Sequence, residues 1–115
     1  MGATVRAVWG RAEQQDFRSR VRGTLLGVAV GDALGAPLDG LTREEIRAAY
    51  GPEGLGDLAF GYGRRGALTH RTQLTLFSVD GLVRAQVRRD TGAWHPPTDL
   101  HRAYLRWAAT QRDWG

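Results

Sequence analysis

Cysteine is absent from the 115 residues, and so is lysine. Without cysteine there is no disulfide and no thiolate metal site. Without lysine, all 16 basic residues are arginine, a usage that reads as genome composition rather than as function. Long apolar runs are missing too. The longest lies near LLGVAV, Leu25 to Val30. It falls far short of the roughly 20 residues a membrane span needs, so no membrane partner is expected. The opening MGATVRAVWGR lacks the apolar stretch of a secretory signal, and a cytoplasmic location is expected. No segment alternates as a half-buried strand does, and no repeat is visible.

What is present describes one small helical domain. Hydrophobic residues make up 42% of the chain, too many for a disordered polymer. The net charge is +4. The arginines are scattered, and many sit beside acids, as in TREEIR; only RAQVRRD, Arg84 to Asp90, is dense. Nucleic acid is therefore not an expected partner.

From Phe17 the pattern is helical. Phe17, Val21, Leu25 and Val28 share one face. Gly27, Gly31 and Gly35 recur every four residues on another. Glycine weakens a helix by about 1 kcal/mol relative to alanine, so a stripe of three implies a close neighbour. Tight helix packing is the reading for Gly27. Gly31 and Gly35 flank Asp32 in GDALG, and that end of the helix is expected to face a ligand. Residues 1–16 are taken as an extension and 17–115 as the domain. Val5, Val8 and Trp9 of the extension are candidates to dock on it.

APLDGL breaks the helix at Pro37 and Gly40. A short helix follows, with Thr42 and Glu45 as a capping box and Gly51 at its end. Residues 51–68, GPEGLGDLAFGYGRRGAL, are too rich in glycine for a helix. A loop of this length is commonly functional. Its Phe60 and Tyr62 are placed either to stack on a ligand ring or to anchor the loop on the core. The next helix is predicted from about Thr72 to Arg89, with Leu76, Val79, Val83 and Val87 as its apolar stripe, widened by Leu82. Thr69 or Thr72 is its N-cap. After TGAWHPPT, Thr98 is expected to cap a last helix, DLHRAYLRWAATQR. Trp107 and Trp114 are left in need of partners. The fold class is all-α, with one long glycine-rich loop.

The segment RRGALTHRTQLTLF, Arg64 to Phe77, holds the question of function. Two threonines, Thr69 and Thr72, bracket His70 and Arg71. Taken alone, this is an ordinary helix start.

RGTLLGVAVGDALGAPLDG, YGPEGLGDLAFGYGRRGALT and TQLTLFSVDGLVRA, in this order, resemble the N-terminal region of the ADP-ribosylglycohydrolases. The resemblance covers roughly Arg20 to Trp107. It implies a helical fold and a two-metal site, usually magnesium, that cleaves the glycosidic bond of ADP-ribose attached to a protein or a related compound. In the family the bracketed pair is Asp-Asp and, with the first threonine, ligates the metals. Carried over, Thr69 matches the ligating threonine, and His70 and Arg71 stand at the two aspartate positions. Asp39 matches the carboxylate, usually Glu, near the reacting centre. Gly31, Asp32, Gly61, Tyr62, Gly63 and Thr72 are the expected substrate-binding residues. The family's remaining metal ligands lie near the end of a considerably longer chain, and no counterpart occurs before Gly115.

Imidazole is a poor ligand for magnesium, and guanidinium is none; magnesium takes hard oxygens at about 2.1 Å, and arginine stays charged. The expectation is thus a degenerate, truncated family member with no bound magnesium and little or no hydrolysis. The alternatives are a pseudoenzyme binding ADP-ribose or a nucleotide, and half of a hydrolase completed by a second chain. ADP-ribose or an ADP-ribosylated protein is the expected partner, alongside self-association or a complementing chain.

Overall fold

The computed structural model describes residues 9–112. Val5, Val8 and Trp114 lie outside the described residues. The chain folds into four α-helices: α1 (Arg11–Gly35), α2 (Arg43–Tyr50), α3 (His70–Asp90) and α4 (Pro96–Arg112). A 3-10 turn, Ala36–Leu38, follows α1. Two short strands, β1 (Phe60–Gly61) and β2 (Arg64–Arg65), interrupt the glycine-rich segment. The fold is mostly helical, as the sequence implies.

Helix α1 begins six residues before Phe17, where the apolar stripe starts. Its first turns, RAEQQD, carry no apolar face but consist largely of good helix formers. Glu13 closes the start by accepting from the backbone N–H of Gly10 at 3.2 Å. Asp16 and Arg20 pair one turn apart at 2.8 Å. Trp9 stands edge-on to Phe17, ring centres 5.2 Å apart. Pro37 ends the helix. Helix α2 starts as expected: the Thr42 hydroxyl accepts from the Glu45 amide at 3.1 Å, and Gly51 leaves with φ +91°. Helix α3 is capped by Thr69, whose Oγ1 accepts from the Arg71 amide. Helix α4 begins at Pro96, two residues before the expected cap Thr98. Proline is tolerated in a first turn, and the Thr98 hydroxyl instead meets Nδ1 of His95 at 2.6 Å.

The segment expected to be structureless forms a hairpin. Phe60 pairs with Arg65 and Gly61 with Arg64, antiparallel. The two turn residues, Tyr62 (φ +50°) and Gly63 (φ +83°), both take the positive φ that a tight two-residue hairpin turn requires. The backbone of β1 lies on the 3-10 turn: a side chain at Gly61 would come within 2.9 Å of the Pro37 Cα.

The main packing is α3 against α4. Gly81 makes it possible, since a Cβ there would sit 3.1 Å from the Ala103 Cβ and 3.1 Å from the Asp99 carbonyl oxygen. Ala85 and Ala103 are fully buried in the same seam. Around it, Tyr104 bonds Ser78 at 2.7 Å, and Arg106 pairs with Asp80 at 2.7 Å. Trp107 finds a partner here, donating through Nε1 to Gln73 at 3.0 Å. By contrast, Gly27, Gly31 and Gly35 face open space, with nothing within 4 Å of an added Cβ. The close packing expected at Gly27 is thus found at Gly81.

The predicted stripe of α3 does not enter this seam. Leu76, Leu82, Val83 and Val87 are exposed, and Val79 is half-buried. Among the described residues the buried apolar side chains are all alanines, and no large side chain is fully buried.

Candidate functional site

Asp32 is the buried centre of the region. It sits in the last turn of α1, where the chain turns toward the start of α3. Its Oδ1 accepts from the Thr69 hydroxyl at 2.7 Å, and its Oδ2 from the Thr69 amide and the Thr72 hydroxyl, each at 2.7 Å. The Thr72 amide adds a longer bond at 3.4 Å. Burial alone would raise the Asp32 pKa, but the hydrogen bonds from Thr69 and Thr72 outweigh it and hold the carboxyl below its ordinary value. The first turn of α3 is therefore bound to α1 through one ionised side chain. Thr69 and Thr72 serve this junction, and both are buried.

In front of Asp32 opens a cleft of about 310 Å³, lined by Gly27, Val28, Gly31, Asp32, Gly35, Asp39 and Arg71. The glycine stripe gives it room. Arg71, in the first turn of α3, reaches across with Nη1 2.9 Å from Asp39 Oδ2 and 3.9 Å from Asp32 Oδ1. Tyr62, at the hairpin tip, donates its hydroxyl to the same Asp39 oxygen at 2.6 Å. These two bonds, Arg71 first, lower the Asp39 pKa; the same contact raises that of Tyr62, which stays a donor. The guanidinium of Arg71 is held charged still more firmly by Asp39.

Of the residues singled out from the sequence, Gly31, Asp32, Asp39 and Arg71 thus meet in one cleft, and Tyr62 joins through Asp39. Thr69 and Thr72 stand behind Asp32. Gly61 is committed to Pro37, and Gly63 to the hairpin turn. His70 is exposed at the first position of α3. The pairing of Arg71 with Asp39 spans 32 positions and left no local signal in the sequence.

A divalent metal wants several hard oxygens converging on one point. Here both Asp32 oxygens accept hydrogen bonds from Thr69 and Thr72, and Asp39 Oδ2 accepts from Tyr62 and Arg71. Among the described residues no group of three or more His, Cys, Asp or Glu side chains gathers to hold a metal ion. The donor set does not fit magnesium.

A model of the ADP-ribosylglycohydrolase family matches residues 13–115. The chain belongs to the ADP-ribosylglycohydrolase family. The match takes in α1 from its third residue and every element that builds the cleft. An uncharacterized protein of Archaeoglobus fulgidus is 48% identical over 51 residues, 39% of this chain and 17% of the relative's length. The chain thus matches about a sixth of that relative. No solved structure matches it.

Proposed function

We propose that this ADP-ribosylglycohydrolase-family chain binds ADP-ribose or an ADP-ribosylated compound in the glycine-floored cleft without recruiting magnesium, and performs little or no hydrolysis. One observation carries the reading: the Arg71 guanidinium stands 2.9 Å from Asp39 and 3.9 Å from Asp32, at a position where the family resemblance calls for a metal-ligating carboxylate. A fixed positive charge there repels a divalent cation and satisfies the carboxylates that would attract one. The same guanidinium is half exposed and has donors to offer a phosphate. Phe60, exposed beside the hairpin turn, offers a face for stacking on a base.

The test is calorimetric titration of the chain with ADP-ribose, once in chelator and once in excess magnesium. Equal affinity in the two buffers is expected. Binding or ADP-ribose release that appears only with magnesium would overturn the reading.

A second reading is favoured by the exposed Leu76, Leu82, Val83 and Val87 on α3 and by Leu26 and Val30 on α1. These faces suit further helices, supplied by self-association or by a complementing chain, and such a chain would also bring the remaining functional residues.

A further inference from the structure

Four parts of the chain meet at one positive charge. Asp32 comes from α1, and Asp39 from the turn that follows it. Tyr62 comes from the hairpin tip, and Arg71 from the start of α3. Remove the guanidinium, and two carboxylates are left with no cation between them. The hairpin is tied to its own loop by the Arg65 pair with Asp57 at 3.4 Å, which is exposed at both ends. Phe60 is 72% exposed and Tyr62 59% exposed, so neither ring anchors it by burial. Tyr62 also sits at φ +50°, which the tight turn requires and which is uncommon for a residue other than glycine. The holds on the tip are the Tyr62 bond to Asp39 and the seat of Gly61 on Pro37.

We propose that Arg71 is the resident cation of this site: a guanidinium supplied by the chain itself, cross-linking α1, the turn, the hairpin and α3, and thereby fixing the hairpin at the mouth of the cleft. This rests on the reading of the cleft as metal-free. The Asp32–Asp39–Tyr62 cradle is then a guanidinium-binding site, filled from within. Asp39 transmits the charge, because it accepts from Arg71 and Tyr62 on one oxygen. A lone exposed ion pair would be worth little. This pair gains from being shared with a second carboxylate and a hydroxyl, which orient it.

Chemical rescue tests the proposal on the full chain. Arg71→Ala should raise amide hydrogen exchange across residues 60–66 by about fivefold or more. Guanidinium chloride, well below denaturing concentrations, should then restore most of the protection, while sodium chloride at equal ionic strength should not. Asp39→Asn, with Arg71 intact, should loosen the same residues and resist rescue. If Arg71→Ala fails to fold, Arg71→Lys replaces it; it keeps the charge, loses the fork and should show intermediate exchange. Unchanged exchange in Arg71→Ala, protection in Arg71→Lys equal to that of the parent chain, or equal rescue by sodium chloride would overturn the proposal. Added magnesium serves as a separate arm. Protection of the parent hairpin by magnesium would sink the metal-free reading, whereas a failed rescue with no magnesium effect would sink only the resident-cation inference.

Discussion

Asp39 and Asp32 do different work with the same functional group. Asp32 is buried and accepts four hydrogen bonds from two threonines, so it is part of the frame. Asp39 is partly exposed and accepts from a phenol and a guanidinium, so it belongs to the cleft. Both carboxyls titrate below the ordinary 3.8. The sign of the linkage follows. As pH falls, the unfolded chain takes up these protons first, so the stabilisation is present above about pH 4 and is lost as pH drops through the lowered folded values. Thermal melts between pH 6 and pH 3 should therefore show falling stability. Asp39→Asn should flatten part of that acid limb, because one of the linked protons is gone; those of Asp32 and Asp80, whose carboxyl is also lowered, chiefly by Arg106, remain. Superimposable limbs for the parent and Asp39→Asn would contradict the assignment. At this scale the sequence was only half legible. The cap Thr42 could be read, and that of α3 narrowed to Thr69 or Thr72, because a cap acts within three residues. The partners of Asp32 and Asp39 lie 23 to 40 positions away and could not.

Among the elements, glycine does two opposite jobs. At Gly81 it admits α4 against α3, with Ala103 and the Asp99 carbonyl each 3.1 Å from an added Cβ and the Leu100 side chain at 3.2 Å. At Gly27 the same absence meets nothing within 4 Å. The two sites should respond with opposite signs. Gly81→Leu overpacks a tight seam and should cost about 1–3 kcal/mol. Gly27→Ala removes a helix penalty without a clash and should gain about 0.5–1 kcal/mol. Denaturant unfolding of the two variants checks this; a loss at Gly27 would mean that the stripe is not open. The sequence showed a regular glycine spacing at Gly27, Gly31 and Gly35 and hence drew attention there, whereas Gly81 is a single glycine in a helix with no pattern to mark it. The hairpin was hidden for a related reason. Strands of two residues are too short to alternate, and a Tyr-Gly turn lacks the usual Asn-Gly or Asp-Gly signature.

As a whole, the molecule is drawn out. Its radius of gyration is 19.0 Å, against about 13 Å for a compact domain of roughly 100 residues. Among the described residues the buried apolar core is alanine, and large apolar residues on α1 and α3 face outward. Each such side chain forgoes about 1.5–3 kcal/mol of burial, a large share of a typical stability of about 5–15 kcal/mol. No single helix among the described residues is long and apolar enough to cross a membrane. The described helices thus carry more apolar surface than they can bury among themselves, which is why covering partners enter the proposed function. The family and the helical class were legible because long motifs and helix periods survive in any one stretch of sequence. The open faces were legible only as an excess of apolar stripe, since which side of α3 meets α4 is decided by Gly81, Ala85 and Ala103 rather than by the leucines and valines. At the centre of the account stands the proposal that Arg71 takes the place of a metal. Titration of the chain with manganese, followed by electron paramagnetic resonance, tests it most directly. Binding no tighter than about millimolar is predicted, because both oxygens of Asp32 are engaged by Thr69 and Thr72, and Asp39 Oδ2 by Arg71 and Tyr62. A micromolar manganese site that Thr69→Ala abolishes would contradict it.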